Sequence, residues 1–258
     1  MITAEFKKSF RDRCKDPSVH AAAMLAERGI TAVYTEFLKA YSDFSAVDGG
    51  AHIAYHTERL AVLPGCRMVF AVEADPNTFK RLVQRVKFKK LANVKSIEAA
   101  LQENPRTEFV EFMSSTTQPG RSGIDCIWKD EPNFQYTKVR VAATTIDQAV
   151  EGTTSPIKFI KLDLEGGEYP ALLGATATVC SDRPLIASEF SIRSPKLKGF
   201  TIDEYIEFFR SIQYQPLTFF GERLTGATFS EFHYIFIVPV EHEESVQRII
   251  RSTVLTVV

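Results

Sequence analysis

Three charged residues interrupt an apolar run in the segment IKFIKLDLEGGE (157–168). If the run is a β-strand, its side chains alternate between two faces, so Lys161, Asp163 and Glu165 share one face. Three charges on one face of a central strand cost free energy unless they pair or serve a function. A carboxylate in such a place can act as a general base. We therefore take Asp163 first and Glu165 second as candidate catalytic bases, and we expect Lys161 to pair with an acid.

The segment AVDGGAHIAYHT (46–57) contains a second group of residues suited to a ligand. Asp48 ends an apolar run, and Gly49 and Gly50 follow it, so the backbone can approach a ligand closely. Free N–H groups at the start of a following helix favour a negative group. Asp48 would repel a pyrophosphate, however, and the segment lacks the third glycine of the motif GxGxxG. It suits a ligand with a positive centre, such as the amino acid part of S-adenosylmethionine; an ordinary glycine-rich turn is the alternative.

Two histidines in the same segment raise the question of a metal site. His52 and His56 are four residues apart, a spacing that would place both on one face of a helix. The pattern HxxxH lacks the glutamate of HExxH, and a site needs a third ligand. We therefore predict no metal, and we keep His52 as the third candidate catalytic residue.

Acidic residues also end the next two apolar runs. Glu73 stands about 25 residues after Asp48, where an acid at a strand tip can bind both hydroxyls of a ribose. Asp75 precedes Pro76 and is interpreted as the cap of the next helix. Glu98 ends the third run and is a candidate contact to an adenine edge; an exposed strand-end carboxylate is the alternative.

These residues need a scaffold, and the chain alternates short apolar runs with amphipathic helical stretches. Such repeats predict parallel strands joined by right-handed crossovers. In open sheets of this kind, ligands bind at the carboxyl ends of the strands, so the acidic residues should face one pocket. The runs occupy residues 44–48, 67–74, 93–101, 157–165 and 184–190.

Three regions lie outside this pattern. Residues 1–43 have helical spacing, with Gly29 as a helix stop signal, and we predict a helical lead rather than a separate domain. Residues 106–146 are predicted to form β-hairpins inserted between the third and fourth core strands. Beyond them, a capping box of Thr201 and Glu204 predicts a helix, and two antiparallel strands follow it.

Composition narrows the function classes. The chain is 45% hydrophobic and 24% charged, with a net charge of −1, as in soluble globular proteins that do not bind nucleic acid. The basic residues of 80–90 are expected on the solvated face of an amphipathic helix. The four cysteines form no CxxC pair, which argues against a zinc cluster or a disulfide framework. Neither a signal-peptide pattern nor an apolar stretch of about 20 residues is present, so we expect a cytoplasmic protein without a membrane span.

Three segments of the chain together resemble the FkbM-type methyltransferases, a branch of the class I S-adenosylmethionine-dependent methyltransferases: DGGAHIAYHT, VEADP and IKFIKLDLEGGEYPALLGA. The third is similar to the family block K-x-D-x-E-G-x-E…L-x-G-A. The resemblance covers about residues 44–190. Two positions depart from the family pattern, because His52 stands where Asn is usual and Ala54 where Gly is usual. Ala54 is compatible with the pattern if a helix has already begun there.

The resemblance implies an α/β fold with a doubly wound, seven-stranded, mostly parallel and Rossmann-like sheet whose last strand is antiparallel. With the regions described above, it predicts a helical lead over 1–43 and a methyltransferase domain over 44–258 that carries the β insertion. It implies S-adenosylmethionine as cofactor and O-methylation of a hydroxyl on a sugar, a glycan or a natural product. We predict that the insertion and the lead wall the acceptor pocket. A homo-oligomer is compatible with the sequence.

We therefore assign candidate catalytic roles to Asp163, Glu165 and His52. The candidate cofactor-binding residues are Asp48, Gly49, Gly50, Ala51, His52, Thr57, Glu73, Ala74, Glu98, Ala99 and Asp163. Two other functions remain open. An NAD(P)-dependent oxidoreductase can use a related sheet, although the acidic start of the loop argues against it. The departures at His52 and Ala54 leave open a methyltransferase-like binding module that has lost turnover.

Overall fold

A seven-stranded β-sheet forms the centre of the protein. The computed structural model describes residues 20–189, 199–229 and 234–257. The strands in these residues are β1 (Phe44–Gly49), β2 (Cys66–Glu73), β3 (Val94–Glu98), β4 (Ala100–Leu101), β5 (Phe109–Ser115), β6 (Tyr136–Thr144), β7 (Ile157–Leu162), β8 (Leu185–Glu189), β9 (Tyr214–Thr218) and β10 (Tyr234–Pro239).

Helices connect and flank these strands. Among the described helices, none is both long and apolar enough to cross a membrane. They are α1 (His20–Leu38), α2 (Tyr55–Ala61), α3 (Pro76–Phe88), α4 (Ile146–Ala149), α5 (Glu168–Leu173), α6 (Thr176–Asp182), α7 (Ile202–Ser211), α8 (Gly226–Phe229) and α9 (Glu243–Val257).

The order of strands in the large sheet is β3-β2-β1-β7-β8-β10-β9. The pairs from β3 to β8 are parallel, whereas β10 is antiparallel to both β8 and β9. The predicted α/β fold, with a seven-stranded and mostly parallel sheet, is confirmed. The order changes direction between β1 and β7, and in sheets of this kind ligands bind outside the carboxyl ends at such a point.

Apolar side chains cover both faces of this sheet. Successive residues of β7 show the alternation, because Phe159 packs with Tyr34 of α1 on one face while Ile160 packs with residues of α5 and α7 on the other. Helices α1, α2 and α9 contribute to the first core, and α5, α6 and α7 contribute to the second. The sheet is therefore held rigid from both sides, and its carboxyl edge can position functional residues.

The N-terminal helix departs from the sequence prediction. The stop predicted at Gly29 is wrong, because α1 continues through it to Leu38. A Cβ atom on Gly29 would lie 2.5 Å from Cζ of Phe219, so close packing of the helix explains the small residue there. Residues 1–19, which contain the first part of the predicted lead, lie outside the described residues.

The β-hairpins predicted for residues 106–146 correspond to β5 and β6. These two strands pair antiparallel, and β4 adds to β6 in parallel, which gives a second sheet in the order β4-β6-β5. The predicted capping box at the start of α7 is present: Thr201 accepts from the amide of Glu204, and Glu204 accepts from the amide of Thr201. The C-terminal helix α9 was not predicted from the sequence.

Candidate active site

A cavity of about 440 Å³ opens at the carboxyl ends of β1, β2 and β7. Four parts of the chain that are distant in sequence form its wall. They are the β1–α2 loop with the end of β2, the segment 99–101, the turn after β7, and a group from outside the core that comprises Glu27 of α1 and Phe112, Gly120, Ser122 and Ile124 of the insertion. The predicted convergence of acidic residues on one pocket is therefore observed for Asp48, Glu73, Asp163 and Glu165.

The β1–α2 loop is tied to the neighbouring strand through its backbone. The amides of Gly50 and Ala51 both donate to the carbonyl oxygen of Val72, at 2.9 and 3.0 Å. Gly50 has a φ of +73°, and a Cβ atom on it would lie 1.9 Å from the carbonyl oxygen of Asp163. The glycine is therefore needed because the β1–α2 loop touches the turn after β7.

Asp48 offers the cavity a carboxylate oxygen. Its side chain is 1% exposed, and Oδ2 accepts a hydrogen bond of 2.5 Å from the hydroxyl of Thr57. Oδ1 is buried and has no hydrogen-bond partner among the described residues. An unsatisfied carboxylate oxygen on a residue that lines a cavity is suited to a cationic donor such as an ammonium group.

Glu73 joins the two loops beside the cavity. Its carboxylate accepts from the amide of Asp75 at 2.8 Å and from the amide of His52 at 2.9 Å. Burial raises the pKa of Glu73 to about 7 despite these bonds. Asp75 caps α3, as predicted, by accepting from the amides of Asn77 and Thr78. The ribose contact predicted for Glu73 would use lone pairs that these two amides leave free.

His52 and Ala54, the two residues that depart from the family pattern, both adopt left-handed backbone conformations. The φ angles are +46° for His52 and +72° for Ala54. Helix α2 begins at Tyr55, so the helix has not begun at Ala54, and this alanine adopts a conformation that favours glycine. His52 also precedes the helix, so His52 and His56 do not share a helical face. Burial and the positive charge of Arg81 lower the pKa of His52.

A buried ion pair follows the central strand. Lys161 is 4% exposed, and its ammonium group lies 3.0 Å from Oδ2 of Asp163. Burial alone would raise the pKa of Asp163, but the charge of Lys161 and hydrogen bonds from Glu189 and Lys161 outweigh burial and lower it to about 2. Burial and the charge of Asp163 raise the pKa of Glu189 well above its ordinary value. Asp163 is thus stabilised as a carboxylate, whereas the carboxyl of Glu189 is harder to ionise.

Glu165 has a different environment, although it is only two residues away. Strand β7 ends at Leu162, so Glu165 lies in the turn and has a φ of +53°. The strand alternation used to predict its direction therefore does not extend to it. Burial and the negative charge of Asp163 raise the pKa of Glu165 to about 8. The indole N–H of Trp128, in the insertion, donates to its Oε2 at 2.5 Å.

Helix α1 brings a carboxylate into the cavity that the sequence analysis did not identify. Glu27 accepts a hydrogen bond of 2.9 Å from the hydroxyl of Tyr234 and is also hydrogen-bonded to Nε2 of His56. Burial alone would raise the pKa of Glu27, but the bond with His56 and the charge of Lys161 outweigh it and lower the pKa. The contact with Tyr234 joins residues 207 positions apart, so local spacing holds no signal for it.

Most of the predicted site residues line this cavity. The lining residues do not include Gly49, Thr57 or Glu98. The hydroxyl of Thr57 donates a hydrogen bond to Asp48. Glu98 is exposed at the end of β3, so its adenine contact stays a prediction. The predicted residues that do line it are Asp48, Gly50, Ala51, His52, Glu73, Ala74, Ala99, Asp163 and Glu165.

Oxygen atoms of Asp163, Glu165 and Glu189 lie within 4.8 Å of one another. Lys161 already supplies one positive charge to this group, and burial and the charge of Asp163 raise the pKa values of Glu165 and Glu189, which disfavours their ionised forms. The cluster by itself does not define a metal site, and the absence of a metal stays a prediction.

The seven-stranded sheet with this cavity at its switch point defines a class I, Rossmann-like methyltransferase fold. Residues 48–216 match the family described as the Methyltransferase FkbM domain, and the chain belongs to this family. No curated protein matches the chain.

The chain is similar to several solved structures of methyltransferases. Methyltransferase FkbM from Methylobacillus flagellatus KT has a TM-score of 0.50 and 16% identity over 90% of this chain, which spans 57% of the length of that protein. Precorrin-6y C5,15-methyltransferase from Geobacter metallireducens has a TM-score of 0.41 and 13% identity, over 81% of this chain and 85% of its own. Streptococcus mutans SMU.1697c, in complex with SAH, has a TM-score of 0.43 and 11% identity, over 80% and 95%. At such identities the likeness concerns the fold alone.

Proposed function

We propose that this protein is an S-adenosylmethionine-dependent O-methyltransferase whose acceptor is a hydroxyl of a sugar, a glycan or a natural product. One observation carries the proposal: Asp48, whose Oδ1 is buried and has no hydrogen-bond partner among the described residues, lines the same cavity as Glu165, whose carboxyl has a pKa of about 8. The first group suits the ammonium of the cofactor, and the second suits removal of a hydroxyl proton.

The cofactor supplies a methyl group on a positively charged sulfur that a nucleophile can displace. Asp48 would hold its amino group, and Thr57 would fix the rotamer of Asp48. Gly50 and Ala51, which line the cavity, would give its amino acid part close access to the backbone. Glu73, Ala74 and Ala99 border the part of the cavity where a nucleoside would lie. Family membership and the cavity volume of about 440 Å³ support this assignment.

Glu165 replaces Asp163 as the first candidate for the general base. Asp163 is paired with Lys161 and has a pKa of about 2, so it is a weak proton acceptor. The pKa of Glu165, about 8, lies close to the operating range of a general base. Its carboxylate would accept the proton that the acceptor hydroxyl loses. Asp163 would maintain the charge balance around Lys161 and orient the turn.

The acceptor would enter from the side that the insertion and α1 enclose. Phe112, Ser122 and Ile124 line the cavity from the insertion, and Glu27 lines it from the lead. Carboxylates can accept hydrogen bonds from acceptor hydroxyls, which favours a polyhydroxylated acceptor. In this proposal the lead (1–43) and the domain (44–258) form one functional unit.

Calorimetry and methyl transfer test the proposal. We expect S-adenosylhomocysteine to bind the wild-type protein, NADH to give no heat, and Asp48→Asn to weaken S-adenosylhomocysteine binding about 10- to 100-fold through loss of a charge-assisted bond. Glu111→Gln, an exposed change on β5, is the matched control with unchanged affinity. Tight NADH binding would favour an oxidoreductase instead.

Transfer of a labelled methyl group to a panel of sugars and polyphenols then tests the reaction itself. Glu165→Gln should reduce the turnover number at least about 100-fold, as loss of a general base does, while S-adenosylhomocysteine still binds. Tight binding without methylation of any acceptor would favour the binding module that has lost turnover.

A further inference from the structure

The insertion contacts the turn after β7 through both backbone and side chain. The indole Nε1 of Trp128 lies 2.5 Å from Oε2 of Glu165, to which it donates. The amide of the preceding residue, Ile127, donates to the carbonyl oxygen of Glu165 at 3.3 Å. Two hydrogen bonds from adjacent residues to one residue fix the insertion and Glu165 relative to each other.

Trp128 is itself supported within the insertion. The guanidinium carbon of Arg121 lies 4.0 Å from the centre of the Trp128 ring, a cation–π contact. Gly123 packs on the turn, since a Cβ atom there would lie 3.2 Å from the carbonyl oxygen of Leu164. The donor is therefore part of a packed surface, and its direction is set by neighbours as well as by Glu165.

The negative charges around Glu165 disfavour ionisation of its carboxyl, and the contact with Trp128 opposes this effect. Asp163 and Glu168, in the same turn and the next helix, raise the pKa of Glu165 together with burial. Glu189 faces the same cluster from β8. Trp128 and Arg121 act in the other direction, because both favour the ionised carboxylate. The insertion thus supplies favourable interactions to a carboxylate that its own turn disfavours.

We infer that Trp128 is a positioning residue that holds the Glu165 carboxyl at the cavity, so that the packing of the insertion against the turn also sets the orientation of the base. The inference rests on the proposed function for the role of Glu165. The contact itself is a property of the protein that can be measured without knowing the acceptor.

A single tryptophan in the chain makes the contact directly observable. The protein labelled with ¹⁵N will show one indole N–H signal, and we expect this signal to titrate with a midpoint near pH 8, where Glu165 ionises. Glu165→Gln should abolish this titration, whereas Glu111→Gln should leave it unchanged. An indole signal that is constant from pH 4 to 10, or that titrates equally in Glu165→Gln, would overturn the inference.

A second variant measures the contact from the other side. Trp128→Phe keeps an aromatic ring beside Arg121 and removes the N–H donor, so the ionised carboxylate loses a charge-assisted hydrogen bond. The ¹³C carboxyl signal of Glu165, assigned by its loss in Glu165→Gln, should then titrate about 0.5 to 1 pH unit higher. An unchanged midpoint in folded Trp128→Phe would contradict the positioning role.

The two proposals fail separately. Binding of S-adenosylhomocysteine to the wild-type protein tests the proposed function, and it does not depend on Trp128. The indole titration tests the contact, and it does not depend on the cofactor. If Trp128→Phe fails to fold, the indole titration in wild type and Glu165→Gln still decides the inference.

Discussion

Gly50 lies where the β1–α2 loop and the turn after β7 come into contact. Two separate features require a glycine at this position. The φ angle is +73°, and a Cβ atom would lie 1.9 Å from the carbonyl oxygen of Asp163. The first is a cost of backbone conformation, and the second is a steric clash with backbone that side-chain rotation cannot relieve. The position therefore couples the β1–α2 loop to the turn that carries Asp163 and Glu165.

We predict that Gly50→Ala lowers both stability and S-adenosylhomocysteine affinity. Gly152→Ala is a matched control, because Gly152 has a φ of +78° and a Cβ atom there would meet nothing within 4 Å. The control should lose only the conformational contribution, about 1 kcal/mol, and Gly50→Ala should lose at least twice as much. Denaturant unfolding and calorimetry measure the two effects. Equal losses in both variants would mean that the close approach of the two segments does not matter.

Local sequence spacing could predict some of these contacts and not others. Asp48 and the Lys161–Asp163 pair could be predicted. Asp48 stands at the end of an apolar run, and alternation along a strand places Lys161 and Asp163 on the same face. Glu27, Glu189 and Trp128 could not be predicted, because their partners lie far away along the chain and depend on how helices and the insertion pack. The different pKa values of Asp163 and Glu165 were not accessible for the same reason, since burial and neighbouring charges set them. Which of the two acts as the base stays a prediction.

At the level of elements, α1 illustrates how packing overrides a local signal. A glycine in a helical pattern usually indicates a helix end, yet Gly29 lies inside α1. The residue is a glycine because Phe219 occupies the space beside it. The strand alternation through residue 165 failed differently, because β7 ends at Leu162 and the chain turns sharply there. Both errors concern element ends, whereas the type and order of the core elements followed from apolar periodicity.

We predict that Gly29→Ala destabilises the protein despite the higher helix propensity of alanine. The propensity gain is about 1 kcal/mol, but a Cβ atom 2.5 Å from Cζ of buried Phe219 overpacks the core, at a cost of about 1–3 kcal/mol. Denaturant unfolding should show a net loss of about 1 kcal/mol. Gly226→Ala, where a Cβ atom would come no closer than 3.8 Å to a neighbour, should show no such loss.

A rescue experiment separates packing from other effects of Gly29→Ala. Phe219→Leu shortens the side chain that the new methyl group would meet. The double variant should therefore be less destabilised than the sum of the two single changes. Simple additivity would show that Gly29 is small for a reason other than Phe219.

For the whole molecule, the cluster of acids at the carboxyl edge of the sheet makes stability depend on pH in an unusual direction. Burial raises the pKa of Glu73 and Glu168 to about 7 and, together with the charge of Asp163, raises the pKa of Glu165 to about 8 and that of Glu189 well above its ordinary value. Unfolding returns each to 4.5, the ordinary value for glutamate. Between about pH 4.5 and 8, the folded protein therefore binds more protons than the unfolded chain.

Each extra bound proton reduces the free energy of unfolding by about 1.4 kcal/mol for every unit that the pH rises. Among the acids that line the cavity, Asp163 and Glu27 have lowered pKa values and act in the opposite range, because their contribution is lost as the pH falls below about 4.5. The lowered pKa of His52 opposes the trend below about pH 6.5, but it is a single group, whereas four glutamates have raised pKa values.

We therefore expect the unfolding temperature to be highest near pH 5 and to fall steadily toward pH 8. Scanning calorimetry across this range checks the trend, and Glu165→Gln should flatten it while Glu111→Gln should not. An unfolding temperature that rises from pH 5 to 8 would show that these carboxyls are ionised in the folded protein. The pKa of Glu165 would then not be raised, and its assignment as the base would lose its support.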